Sequence, residues 1–449
     1  QAEAAPSPAR SARCGAGKGG AMSVLATPLE EADIAEIQAR FPDFDGELPE
    51  EAKYWSRGDL ELFFGSGGQL KPRETAKTSV PTCALLSRLR QRLAEDTIDE
   101  ATGEYRSFCR HLRERSEAPH SLPCAGSCKE VPRAEKPPGL LKAPSVVKCP
   151  KDWKAKGWGL DFWRREYGGE NWKFRARSPQ FEGDQKSADK LAMEGTVAEY
   201  VDYVRVVQKM DPSCNEDNML AFPRVSCDSW CPFVSGARGL FEGCWRALRP
   251  AGVTDLSVRW MKLFCATFNM DWLEFMARFF KVTLAAPGAV SRLHVANHRA
   301  HVWFSQVEGR RLFFLFPPTD ARCLYEETGA SCDGPEGYAS MASPVDIFHP
   351  SQKRHPNFAE AKAQAVVLEP GETLLLPMGW WQYSVALTPS VTLFHPFWNL
   401  ENRTHLVAEL KEAFVDEKMP PELKELSSRH FTVLQGHIAD DEDSDMEED

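Results

Sequence analysis

The sequence predicts a mainly β fold of sandwich or barrel type across the second half of the chain, with flanking helices and a loosely ordered N-terminal half. Three observations carry that expectation. From about residue 259 onward, segments of strand length rich in Phe and Val recur at 259–264, 282–285, 301–307, 311–316, 365–368, 373–376, 383–386 and 391–394. Pro and Gly punctuate them, and no long helical pattern separates them. No internal repeat of fixed period runs through the chain, which sets aside solenoids and propellers.

The elements follow in order. Residues 1–29 read as a leader or as disordered chain, because the chain begins at Gln1, its first Met is Met22, and 1–21 fit a truncated presequence or a translated leader. A helical accessory element is expected over 30–72. There Ile34, Ile37 and Phe41 recur at helical spacing, and the run from Trp55 to Phe64 forms a second short helix that stops at Gly65. Residues 73–190 are rich in Pro, Cys and basic side chains, with a breaker at Pro137-Pro138-Gly139, so loose packing is expected. The globular domain is expected over 191–400. Near its start Thr196 can cap a helix while Glu199 completes a capping box. A helical interruption runs from Asn357 to Gln364, and Pro370-Gly371 sets a tight turn between strands. A helical extension over 401–439 and an acidic tail over 440–449 complete the chain.

Composition narrows the function classes. The 449 residues with 42% hydrophobic content can bury a sizeable core, at the usual scale of roughly 150 residues per unit. A net charge of -11 opposes attraction to a phosphate backbone, so nucleic acid is not an expected partner. The acidic tail is a solvated stretch or a dock for a basic protein. No apolar run approaches the roughly 20 residues of a membrane span. Thirteen Cys without regular spacing suit a reducing compartment, cytoplasm or nucleus, with an organelle left open by the N-terminus. Cys124 and Cys128, like Cys227 and Cys231, have three residues between them, but neither pair has a second Cys/His pair nearby to complete a zinc set. They read as ordinary thiols.

Three stretches together resemble a known family: Ser291-Arg292-Leu293-His294-Val295-Ala296-Asn297-His298, then Gln306 through Arg311 to Pro318, then Glu369-Pro370-Gly371-Glu372 through Trp380-Trp381-Gln382-Tyr383. Their order and spacing resemble the JmjC/cupin-like Fe(II)/2-oxoglutarate oxygenases of the factor-inhibiting-HIF type, over about residues 190–400. The resemblance implies a double-stranded β-helix (jelly-roll, cupin) fold. It also implies Fe(II) and 2-oxoglutarate as cofactors, the metal held on one face by His-x-Asp and a distal His.

By that resemblance, His294 matches the first ligand, Ala296 stands where the Asp would be, and Gln382 replaces the distal His. Ala supplies no donor and a Gln amide is a weak neutral ligand, so metal affinity is expected to fall by orders of magnitude. His298, His301 and His395 are candidate substitutes; each can also be a rim or core histidine. Arg311, five residues after Gln306, matches the cation that pairs with the co-substrate's distal carboxylate, and Ser291 matches a hydroxyl sharing that group. Their bland alternatives are a solvated strand charge and a turn residue. Trp380 and Trp381 line a cleft or belong to the core.

Two readings follow. The first is a catalytically degenerate JmjC-like protein acting in binding, whose pocket takes a small carboxylate or nothing while its surface engages a protein partner. The second is an active Fe(II)/2-oxoglutarate-dependent protein hydroxylase with a non-standard ligand set and a peptide substrate. The sequence leaves the oligomeric state open.

Overall fold

The computed structural model describes residues 31–42, 44, 46, 48, 57–65, 67, 83–88, 128–176, 192–209, 224–296, 300–328, 339–348, 350–414 and 420–440. The chain divides into two compact units, Gln1–Pro81 and Thr82–Asp449. The leader over 1–29, Cys124, His298 and the tail beyond Asp440 lie outside the described residues.

In the first unit, α1 (Glu31–Gln38) and α2 (Arg57–Gly65) occur where the apolar spacing places them. Ile37, Leu60, Phe63 and Phe64 are buried together, with Ile34 and Phe41 packed against them.

The second unit starts its sheets well before residue 191. Strands β1 (Lys129–Glu130) and β2 (Ser145–Lys148) precede helix α3 (Leu160–Tyr167) and strand β3 (Asn171–Ala176), and all three strands join the two sheets described below. This corrects the expectation of loose packing for 128–176. Average composition hides the cause: Val131, Val146, Val147, Trp153, Trp158 and Trp163 are all buried, so short apolar clusters sit between the prolines and lysines.

β4 (Ala192–Thr196) leads directly into α4 (Val197–Lys209) through the expected capping box. Glu199 N–H donates to Thr196 Oγ1 at 3.2 Å, and Thr196 N–H donates to Glu199 Oε2 at 3.0 Å. Thr196→Ala is therefore expected to lower stability by about 1 kcal/mol, measured as the shift in urea midpoint at unchanged slope.

After β5 (Val225–Trp230) come α5 (Arg238–Leu248), α6 (Ser257–Phe268) and α7 (Trp272–Ala277). The first expected strand, 259–264, is thus helical. The buried set Val258, Met261 and Cys265, with Trp260 and Phe264 alongside, has the 3–4 residue spacing of a helix, which a six-residue window reads as a plain apolar run. The remaining segments are strands: β6 (Lys281–Ala285), β7 (Val290–Ala296), β8 (His301–Glu308), β9 (Arg311–Phe316), β10 (Glu327–Thr328), β11 (Ala339–Ala342), β12 (Gln364–Leu368), β13 (Glu372–Leu376), β14 (Trp381–Ala386) and β15 (Ser390–Phe397). The interruption before β12 is a 3₁₀ turn, Pro356–Glu360, and Gln364 already belongs to the strand. α8 (Arg403–Phe414) and α9 (Pro421–Ala439) follow.

The strands form a minor sheet ordered β1-β12-β9-β14-β7-β11-β10 and a major sheet ordered β2-β13-β8-β15-β6-β5-β3-β4. From β6 to β9, and again from β12 to β15, consecutive strands alternate between the sheets. That winding is a double-stranded β-helix of cupin type. Inside it, Phe313, Leu315, Val366 and Leu368 of the minor sheet meet Leu374, Leu376 and Phe304 of the major sheet. The outer face of the major sheet carries Trp303 and Leu393 against the helices, and that of the minor sheet carries Phe314 and Tyr383 against Phe348 and Phe358. Both faces being covered, β9 and β15 are buried along their whole length.

Two turns fix the register. Glu372 N–H donates to Glu369 O at 3.0 Å, and Gly371 has φ +83, so Pro370-Gly371 forms the tight turn expected between β12 and β13. Gly309 (φ +72) turns β8 into β9, and a Cβ there would meet the Pro389 carbonyl oxygen.

Candidate functional site

β7 and β14 lie side by side and bring together two of the expected residues. His294 pairs with Gln382, and Ser291 pairs with Ser384. Three residues of β7 span the distance of two on β14, so β7 carries a bulge there. On a regular strand residues three apart face opposite sides. The bulge rephases β7 and turns Ser291 and His294 to the same side, the barrel interior faced by Gln382 and Ser384.

His294 is 3% exposed and Gln382 6%. The His294 Nδ1 lies 2.7 Å from the Arg292 carbonyl oxygen, which can only accept, so Nδ1 carries the proton. Nε2 then holds the lone pair and accepts from the Gln382 side-chain amide at 3.2 Å. The atom that would ligate a metal is engaged by the residue standing at the distal ligand position. Position 296, two residues along β7, shares the strand face of His294 and is an alanine. This donor set, one engaged imidazole, one amide and one methyl, does not fit Fe(II) as it stands. Among the described residues no three His, Cys, Asp or Glu side chains converge in a metal-binding group.

Arg311 opens β9 and is 5% exposed, so it is not a solvated strand charge. Its Nε–H donates to Ser384 Oγ at 3.1 Å, and its guanidinium lies 5.9 Å from the Phe313 ring centroid. Ser384 is cross-strand from Ser291. Arg311 is thus bonded to Ser384, and Ser291 lies across the β7–β14 pair from Ser384, one strand alternation deeper than His294 and Gln382. Gln306 closes this end: its Oε1 accepts from Thr392 Oγ1 at 2.8 Å, and its Nε2 donates to Glu308 O at 2.7 Å. Ser384 escaped the sequence reading, although it sits two residues beyond Gln382 on the same strand face, and alternation alone could have found it.

His301 and His395 are placed elsewhere. His301 pairs with Phe397, and His395 pairs with Trp303. Trp303 and Phe397 belong to the core between the major sheet and the helices, so both histidines face away from the barrel interior and from His294. His301 Nδ1 accepts from Met378 N–H at 3.1 Å, and burial lowers its pKa. His395 is stacked on Phe280 at 4.0 Å, with Asp255 Oδ2 3.9 Å from Nε2. Trp381 packs in the outer core of the minor sheet, while Trp380 joins the barrel-interior cluster.

Burial pushes the His395 pKa down to about 3, with the Arg249 charge adding to the effect. The folded imidazole stays neutral where an unfolded one, near 6.5, would take a proton. Its contribution to stability is therefore complete above about pH 6.5 and is lost as pH falls toward about 3, with a slope of up to about 1.4 kcal/mol per unit. The raised pKa of buried Asp255 acts in the opposite direction and offsets part of that slope. His395→Phe is expected to flatten the pH dependence of the urea midpoint between about pH 7 and about pH 5. An unchanged slope would show that the proton uptake lies elsewhere.

The comparisons with known proteins agree with this geometry. A family profile described as a cupin-like domain matches residues 254–403, which span β6 to β15. HSPB1-associated protein 1 of Homo sapiens is 33% identical over 126 residues, covering 28% of this chain and 24% of that protein. The chain carries a JmjC-type cupin-like domain. Further relatives of this JmjC group are lysine-specific demethylase 8 of Xenopus tropicalis, 29% identical over 25% of this chain and 23% of that protein, and the 2-oxoglutarate and iron-dependent oxygenase JMJD4 of Mus musculus, 24% identical over 42% and 45%. The JmjC-type alignments thus span about a quarter of the HSPB1-associated and demethylase relatives and under half of the oxygenase. No helix among the described residues is long and apolar enough to cross a membrane.

Proposed function

We propose that this JmjC-type domain acts in binding, with a barrel that takes a small carboxylate without assembling an iron centre. The observation that carries the proposal is the His294–Gln382 hydrogen bond, which engages the one retained ligand atom. One strand alternation deeper, Arg311 bonded to Ser384, with Ser291 across from Ser384, offers a charge-assisted site for a carboxylate. The HSPB1-associated relatives support a protein partner for the surface. The alternative, an Fe(II)/2-oxoglutarate hydroxylase, is favoured by the oxygenase and demethylase relatives and would need His298 together with a rotated Gln382.

The test is equilibrium binding of 2-oxoglutarate in the presence of EDTA. Metal-independent binding that Arg311→Met removes is the expected result. Binding that appears only when Fe(II) or Mn(II) is added would favour the hydroxylase reading instead.

A further inference from the structure

The ends of β5 and β6 bring a lysine and a cysteine into contact. Lys281 opens β6 and is 4% exposed, and its Nζ donates to Cys231 Sγ at 2.7 Å. Cys231 follows β5 directly and keeps part of its surface accessible. The register explains the meeting. Trp230 pairs with Val282, so the next residue of the β5 chain lies beside Lys281. Lys281 pairs with Phe394, whose ring stacks on Phe304 of the barrel-interior cluster, so the pair faces the barrel side of the major sheet.

We propose that Cys231 and Lys281 form an oxidation-dependent modification site, at which a hydroperoxide leads to a sulfenamide bond between Sγ and Nζ. Sensitive thiols combine solvent access with an adjacent cation, and Cys231 has both. Other described thiols are held in less reactive states: burial raises the pKa of Cys244 to about 11 and of Cys265 to about 12, and raises those of Cys149, Cys227 and Cys323.

The chemistry balances with hydrogen peroxide as the oxidant. Sulfur attacks one peroxide oxygen, the O–O bond breaks, and hydroxide leaves, giving a sulfenic acid. The hydroxide takes the proton of the adjacent ammonium to form water. The Nζ lone pair then attacks sulfur, the S–O bond breaks, and a second water leaves. One thiolate, one ammonium and one peroxide give the S–N bond and two waters, a net loss of two hydrogens from the protein. Cys227 is not placed to intercept the sulfenic acid, because it pairs with Leu284 and packs in the core on the helical side of the sheet.

The experiment treats the full chain with hydrogen peroxide and follows each cysteine by peptide mass spectrometry. Cys231 is expected to oxidise about tenfold faster than Cys244 and Cys323. Its product is expected to be a linked Cys231–Lys281 peptide pair two hydrogens lighter than the sum, released by a thiol reductant. In Lys281→Arg the charge remains but the link cannot form, and Cys231 is expected to run on to sulfinic acid. Oxidation of Cys231 no faster than that of Cys323, sulfinic acid as the main wild-type product, or a Cys227–Cys231 disulfide would each overturn the proposal. The wild-type product map decides the matter even where a variant folds poorly.

Discussion

The double variant Ala296→Asp/Gln382→His is expected to bind Fe(II) at least about 100-fold more tightly than the wild type. The reasoning is local. His294 and position 382 face each other across the β7–β14 pair, and position 296 lies on the strand face of His294. Replacing Gln382 removes the amide donor that now engages His294 Nε2 at 3.2 Å, and the new imidazole would supply a second nitrogen. Asp at 296 adds the carboxylate, completing two nitrogens and one oxygen on one side of the metal. Gln382→Ala alone is expected to release His294 without building a site, so it separates relief of the hydrogen bond from gain of ligands. Anaerobic Fe(II) titration followed by a metal-sensitive probe checks both. Equal affinity in the double variant and the wild type would mean that the backbone at 294–296 does not hold the family geometry.

The second large effect is on stability. Phe313→Ala is expected to lower it by about 3–5 kcal/mol, since the ring is 1% exposed and leaves a cavity at the centre of the barrel. Phe313 packs against Phe304 with the rings tilted at 50° and 5.2 Å between centroids, joining the two sheets. It also lies beneath the Arg311 guanidinium. Urea unfolding should therefore show the loss, and carboxylate binding should weaken in parallel. Phe313→Leu is expected to recover most of the stability, because it refills most of the volume. A large loss of stability with intact binding would show that Arg311 is positioned by Ser384 alone.

Much of the barrel was legible because its strands obey simple rules. Short Phe- and Val-rich runs bounded by Gly309 and Pro370-Gly371 are strands buried on both faces, and no competing pattern overlaps them. The 259–264 segment misleads because its apolar residues are dense enough to satisfy either period, and only Val258 and Cys265 outside that window reveal the helix. The early strands β1 and β2 were hidden by breakers, since two- and four-residue edge strands leave little periodicity to read.

For the site, His294 and Gln382 could be paired by resemblance, but the bulge that turns Ser291 inward has no sequence signature. Nor could spacing tell that His301 and His395 face the helices. That depends on which side of the major sheet the barrel closes, a property of the whole winding. The Cys231–Lys281 contact is of the same kind, fifty residues apart and set by strand register.

The most direct test of the account is succinate formation from 2-oxoglutarate by the purified chain with Fe(II) and ascorbate, run beside His294→Ala. The account predicts no succinate above the His294→Ala background. Turnover in the wild type that disappears in His294→Ala would contradict it, and would show that His294 gives up its bond to Gln382 and serves a working metal centre.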